Sequence, residues 1–337
     1  MNKIILSFDY EIYFDGGNNY NALIENSSKI LQIARNKDVK LVFFIDVLYL
    51  VKLEDNGLNK AYELISNQIQ EMTAAGHELQ FHFHPHWINA KYQSSSDKWE
   101  FDKTEYSFSD IQYKYGIDVA RENFNLAYKK FKAYFGKVST AYRSGGLSIN
   151  QNQRELIDLL LENNFKYDSS VMPGLKITGN YLNIDHTNYP KKNTWKIDSD
   201  KGFFTESTSQ AAYITEVPVM SVENSKINIF KRAYTSLFYR LYSVAGSKAG
   251  NESGKPFDLE IKETIYPTSI TFDKSTFADI LLLKHFTDEY FDLNHSLMCI
   301  LSHPKSYLDQ SYKVFEKYLE WINRKSNFVV VGFEDLN

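Results

Sequence analysis

The sequence predicts an α/β fold organised as a barrel of parallel strands, and three observations carry that expectation. Short β-rich runs alternate with helical patterns from one end of the chain to the other. About seven or eight such units follow one another with no composition break that would mark a linker, which suits a barrel. The run "KLVFFIDVLYLV" (40–51) is nearly continuous in apolar residues, as strands covered on both faces are.

In order, "KIILSFDYEIYF" (3–14) reads as the first strand, and Leu23, Ile24, Ile30, Leu31 and Ala34 recur at helical spacing behind it. The apolar run 40–51 is the second strand. A stripe of Ala61, Leu64, Ile65, Ile69, Met72 and Ala75 predicts a helix, with Gly76 at its C-terminal cap. The third strand is "ELQFHF". A helix over roughly 109–135 ends at Gly136, and "VSTAYRSGG" is the fourth strand. Asn150 with Gln153 resembles a capping box opening a helix to about 164. Strands five, six and seven are "FKYDSSV", "ITEVPVM" and "LMCILSHP"; an amphipathic helix through Val314, Phe315, Tyr318, Leu319 and Ile322 leads to the closing strand "FVVVGF". Residues 172–265, rich in Asn, Lys, Ser and Gly, read as an elaborated insertion, because a structureless loop of that length is disfavoured.

Composition narrows the function. The 43% apolar and 24% charged residues are those of a globular protein, and a net charge of −4 offers no reason to expect nucleic acid. Cys299 is the only cysteine, which excludes an intrachain disulfide and leaves an inert buried thiol as the expectation. Asp9 arrives too early for a signal-peptide apolar region, and no run approaches a membrane span, so the expected place of action is the cytoplasm.

The chemistry gathers in "GHELQFHFHPHW" (76–87), which holds four of the eight histidines. In a strand, His82, His84 and His86 would share a face. Pro85 argues for a turn there instead, and an i, i+4 relation would also bring His82 and His86 to one point. Neutral imidazole is a common metal ligand. Polar residues interrupt the apolar runs at five strands: Asp9 and Glu11 end the first, His82 and His86 the third, Arg143 the fourth and His303 the seventh, and Asp168 lies in the fifth. Strand C-termini are where barrels carry their sites, and five such ends with site-type residues exceed what solvation of strand ends explains.

These residues carry a resemblance. In order along the chain, "LSFDYE", "GHELQFHFHPH", "AYRSGG", "YDSS" and "LSHP" resemble the five motifs of the NodB-homology polysaccharide deacetylases, over residues 5–304. The resemblance implies a distorted (β/α)7-type barrel, a divalent metal (zinc first, cobalt or nickel as alternatives) and a carbohydrate substrate. Carried over, it makes His82 and His86 metal ligands, Asp9 the general base, Arg143 its holder, and His303 the general acid, tuned by Asp168. Backbone N–H groups near Gly145 and Gly146 would meet the oxyanion, while His84 and Trp87 would line the substrate pocket.

Two departures stand out. The usual tandem aspartates are replaced by Asp9-Tyr10-Glu11, and strand alternation puts Asp9 and Glu11 on one face, making Glu11 the third ligand. Asp15 or water is the alternative to it. The third motif also lacks its usual prolines. His77 is expected to bond locally beside its helix cap. The readings in competition are a deacetylase of an amino sugar, a hydrolase of small non-peptide C–N bonds, and a carbohydrate-binding protein without turnover. Residues 224–248 form a basic amphipathic pattern, expected to pack on the barrel, with peripheral contact to an anionic membrane as the alternative.

Overall fold

A computed structural model describes the whole chain except residues 15–16, 211, 223–259, 266, 278, 294 and 337. The main sheet has nine strands. In chain order they are β1 (Asn2–Tyr10), β2 (Val42–Asp46), β3 (Glu78–Phe83), β4 (Ala141–Ser144), β5 (Tyr167–Asp168), β6 (Trp195–Ile197), β7 (Ile214–Glu216), β8 (Leu297–Ser302) and β9 (Phe328–Val330). Their order in space is β6-β7-β5-β4-β3-β2-β1-β8, with β9 beside the start of β1. Every pairing is parallel except β6 with β7. Past β7 the chain makes a parallel bridge from Val219 to Cys299 in β8, so seven parallel strands curl back on themselves as a distorted (β/α) barrel.

Strand alternation sorts each strand's residues into two cores. Ile5, Val42, Phe44, Ala141, Tyr167, Val217, Leu297, Cys299 and Phe333 fill the barrel interior. The alternate residues face the helices. Phe81 meets Phe124, Tyr128 and Phe131 at ring separations of 5.4, 5.2 and 5.7 Å. Those three belong to the buried stripe of the helix Ile117–Phe135, spaced four and three apart. Each such ring contributes roughly 1.5–3 kcal/mol by burial. With Phe81 and Phe83 committed outward, His82 must face inward. The same logic on β1 sends Phe8 and Tyr10 outward and Ser7 and Asp9 inward.

Four expectations are corrected. The apolar run 40–51 is a five-residue strand followed directly by the helix Val47–Asp55, so Asp46 stands at a strand's end rather than inside one. The helix over 109–135 is two helices, broken at Gly116, whose φ of 91° is open to glycine. No capping box opens the helix Arg154–Glu162, because Gln153 instead donates to Ser109 and the Ser148 carbonyl. Within 172–265 the expected sixth strand is β7, and the segment also supplies the unexpected antiparallel β6 and the small strands Lys176–Gly179, Asn183–Asp185 and Ile261–Ile265. The amphipathic stretch 224–248 and Asp15 lie outside the described residues. Among the described residues, no helix is long and apolar enough to cross a membrane.

Candidate functional site

The site lies where the inward-facing residues of β1, β3, β4 and β8 run out into loops. Its lowest layer is Arg143, fully buried, with its guanidinium 3.9 Å from the Phe44 ring centre. A buried cation is costly unless its donors are satisfied. Nε donates to the Ser169 carbonyl at 2.8 Å, Nη2 to Ser7 and Ser169 hydroxyls at 3.0 and 2.9 Å, and Nη1 to Asp9 Oδ1 at 2.6 Å. This fixes Asp9 and leaves its Oδ2 facing His82 Nε2 at 3.7 Å and His303 Nε2 at 3.8 Å. Burial pushes the Asp9 carboxyl up, but Arg143, His82 and His303 outweigh it and hold the group below the usual carboxylate value. Asp9 is therefore an anion at neutral pH.

Above Asp9, Glu11, His82 and His84 bring one ligand atom each within 4.8 Å of the others, all three buried. His82 Nδ1 donates to the Arg143 carbonyl at 2.9 Å. A carbonyl can only accept, so in neutral His82 the Nε2 lone pair is free to bind a cation. That Nε2 lies 3.0 Å from His84 Nε2 and 3.1 Å from Glu11 Oε2, and His84 Nε2 also contacts Glu11 Oε2. Burial drives His84 down to about 4, so its ring is neutral. Two imidazoles and a carboxylate, buried and convergent, are the donor set a zinc-type ion uses. The residues present fit such a group.

The structure places His84, not His86, with Glu11 and His82. Pro85 opens a 3-10 turn, Pro85–Trp87, which ends the strand after His84 and leaves His86 beside the His84 ring at 5.0 Å, outside the convergent set. There His86 packs at 4.4 Å from Phe14 and 4.9 Å from Phe101. Strand alternation holds only as far as Pro85, so it keeps His84 with His82 and does not reach His86. Trp87 is likewise corrected: it is fully buried, donates to Asp46 Oδ2 at 2.6 Å, and packs on Tyr49, Trp99 and Phe101, so no face is left for a sugar. Gly145 packs so closely on His84 that a Cβ there would sit 2.3 Å from Nδ1. Gly146 has φ of 59° and lies under the Tyr106 hydroxyl. His77 bonds locally as expected, accepting from the Leu41 amide at 3.0 Å.

His303 closes the site opposite Asp9, and the carboxylate that orients it is Asp273 rather than Asp168. Asp273 Oδ1 accepts from the His303 amide at 2.8 Å and Oδ2 from its Nδ1 at 2.7 Å, leaving Nε2 toward Asp9. Burial pushes His303 down, but Asp273 and then Asp9 overcome it and hold the imidazole above its ordinary value. Asp168 instead accepts from the Ser170 amide and hydroxyl at 3.0 and 2.8 Å and is hydrogen-bonded to Glu216. Burial raises both carboxyls, and each lies against the other.

Three residues escaped sequence reasoning. Asp273 ends the short alternating run Ile270, Phe272 and so met the strand-end criterion that selected the others. Asp46 met it too, but was hidden in the apolar run; burial raises it to about 7. Lys305, whose ammonium donates to Glu11 Oε1 at 2.6 Å, carried no signal at all.

No family model matches this chain, and no curated protein does either. Solved structures match over nearly its full length. A candidate polysaccharide deacetylase from Mycobacterium smegmatis aligns at a TM-score of 0.53 and 13% identity, over 99% of this chain and 88% of that one. The Puue allantoinase aligns at 0.52 and 11%, with the same coverage. A candidate polysaccharide deacetylase from Pseudomonas aeruginosa PAO1 aligns at 0.50 and 11%, again over 99% and 88%. At these identities the likeness establishes the shared fold.

Proposed function

We propose that this protein is a metal-dependent hydrolase that removes an acyl group, N-acetyl first, from an amino sugar of a polysaccharide or its precursor. The observation that carries the reading is the buried Glu11–His82–His84 set, flanked by an arginine-held carboxylate on one side and an aspartate-held imidazole on the other. Carbohydrate binding alone needs no such pair. A divalent ion held by Glu11, His82 and His84, zinc before cobalt or nickel, would supply Lewis acidity toward a carbonyl and an acidified water. Asp9, ionised and with Oδ2 facing the site, takes the proton of the attacking water. His303, protonated, gives its Nε2 proton to the leaving nitrogen while Asp273 holds Nδ1. Backbone N–H groups of the Gly145–Gly146 turn, beside His84, are candidates for the oxyanion.

The test is acetate release from chitin oligomers and from nucleotide-linked N-acetyl sugars by zinc-loaded protein, with allantoin as a second substrate. Allantoin is the second substrate because a candidate deacetylase and an allantoinase share this fold at nearly equal likeness, with TM-scores of 0.53 and 0.52. Turnover of allantoin alone would replace the amino-sugar reading by one of small C–N bonds.

A pH profile tests the roles. A general acid must be protonated, and the His303 value is raised, so activity should persist above the ordinary histidine range and fall as pH rises through the raised value. Asp273→Asn removes the main cause of that shift. Its alkaline limb in kcat should move to lower pH; an unmoved limb would mean that another group is the acid.

A further inference from the structure

Lys305 stands in the loop after β8, on the 3-10 turn Pro304–Ser306 that begins one residue past His303. A lysine in such a turn ordinarily extends into water. This side chain is only 9% exposed. Its ammonium donates to Glu11 Oε1 at 2.6 Å and to the Ile12 carbonyl at 2.9 Å. It also lies 4.8 Å from the Phe14 ring centre and 5.4 Å from that of Tyr13. Tyr13 returns the contact by donating its hydroxyl to the Lys305 carbonyl at 2.7 Å. Two loops from opposite ends of the chain are thus zipped together around one cation. An exposed ion pair would contribute little, but burying an ammonium is costly, so this geometry is held by many contacts at once.

The consequence falls on Glu11. Its two oxygens have different partners: Oε2 faces the His82 and His84 Nε2 atoms, whereas Oε1 accepts from Lys305 and lies 3.8 Å from His303 Nε2. A carboxylate with neither oxygen engaged elsewhere can give a cation both. We propose that Lys305 is a positioning residue for the metal: by engaging Oε1 it lets Glu11 present only Oε2 beside the two imidazoles, which keeps a position open for substrate. The inference rests on the Glu11–His82–His84 reading and extends it to a residue two positions beyond the candidate acid.

Cobalt(II) added to the metal-free protein provides a readout independent of turnover, since its visible absorption is intense at low coordination number and weakens as ligands are added. Wild type should develop an intense visible band at one equivalent. In Lys305→Met the freed Oε1 joins Oε2, and the band should lose intensity and change shape; Lys305→Gln, too short and uncharged to replace the ammonium, should behave alike should the first variant not fold. Lys305→Arg keeps the charge and should restore the wild-type spectrum. A wild-type band that is unchanged in the folded methionine or glutamine variant overturns the role of Lys305 alone. Absence of any band in wild type overturns the metal site and this inference with it.

Discussion

Asp9→Asn should lower turnover by about 100-fold or more while the divalent ion stays bound, the usual weight of a positioned general base. The substitution keeps the shape of the side chain and an oxygen for Arg143 Nη1, whose 2.6 Å bond sets the position. It removes only the capacity to accept a proton on the oxygen that faces His82 and His303. Because the wild-type carboxyl is held below its usual value, the base is fully ionised through the neutral range, and no gain in pH should rescue the variant. Metal content by atomic absorption, together with kcat, decides the point. If metal and activity are lost in step, Asp9 is a ligand and the base must be sought elsewhere.

The second large effect is on the metal itself. His82→Ala combined with His84→Ala should abolish stoichiometric zinc, since it removes both imidazoles of the convergent set. His86→Ala should retain zinc, at a cost in stability, because His86 packs against Phe14 and Phe101 beyond the three-residue set. The two variants decide which second histidine, His84 or His86, joins His82 and Glu11. Zinc retained in the double variant and lost in His86→Ala would restore the His82–His86 pair.

Much of the site was legible because barrel strands expose their chemistry at their ends. Asp9, Glu11, His82, Arg143 and His303 were each singled out as polar residues closing an apolar run, and the structure brings all five together. The residues misread share a different cause. Trp87 was judged by its type, but type does not say whether Asp46 will take its N–H. Asp168 was judged by its motif, yet it stands beside Glu216, some 48 positions along the chain, and the two carboxyls engage each other.

By itself the sequence determined what short-range rules govern: the parallel β/α order, which strand faces carry Phe81 or His82, and the turn that Pro85 imposes. Periodicity of two and of 3.6, and the stereochemistry of proline, act over a few residues and need no knowledge of the rest. Only the tertiary structure decided which distant residues complete each pair. Asp273 reaches His303 across 30 positions, and Lys305 reaches Glu11 across 294. The second pairing arises because the curled sheet sets β8 beside β1, bringing the loops that follow both strands to one end of the barrel. In that buried space each charge must find an opposite partner or stay neutral, so the partner is chosen by proximity and desolvation, which no local pattern encodes.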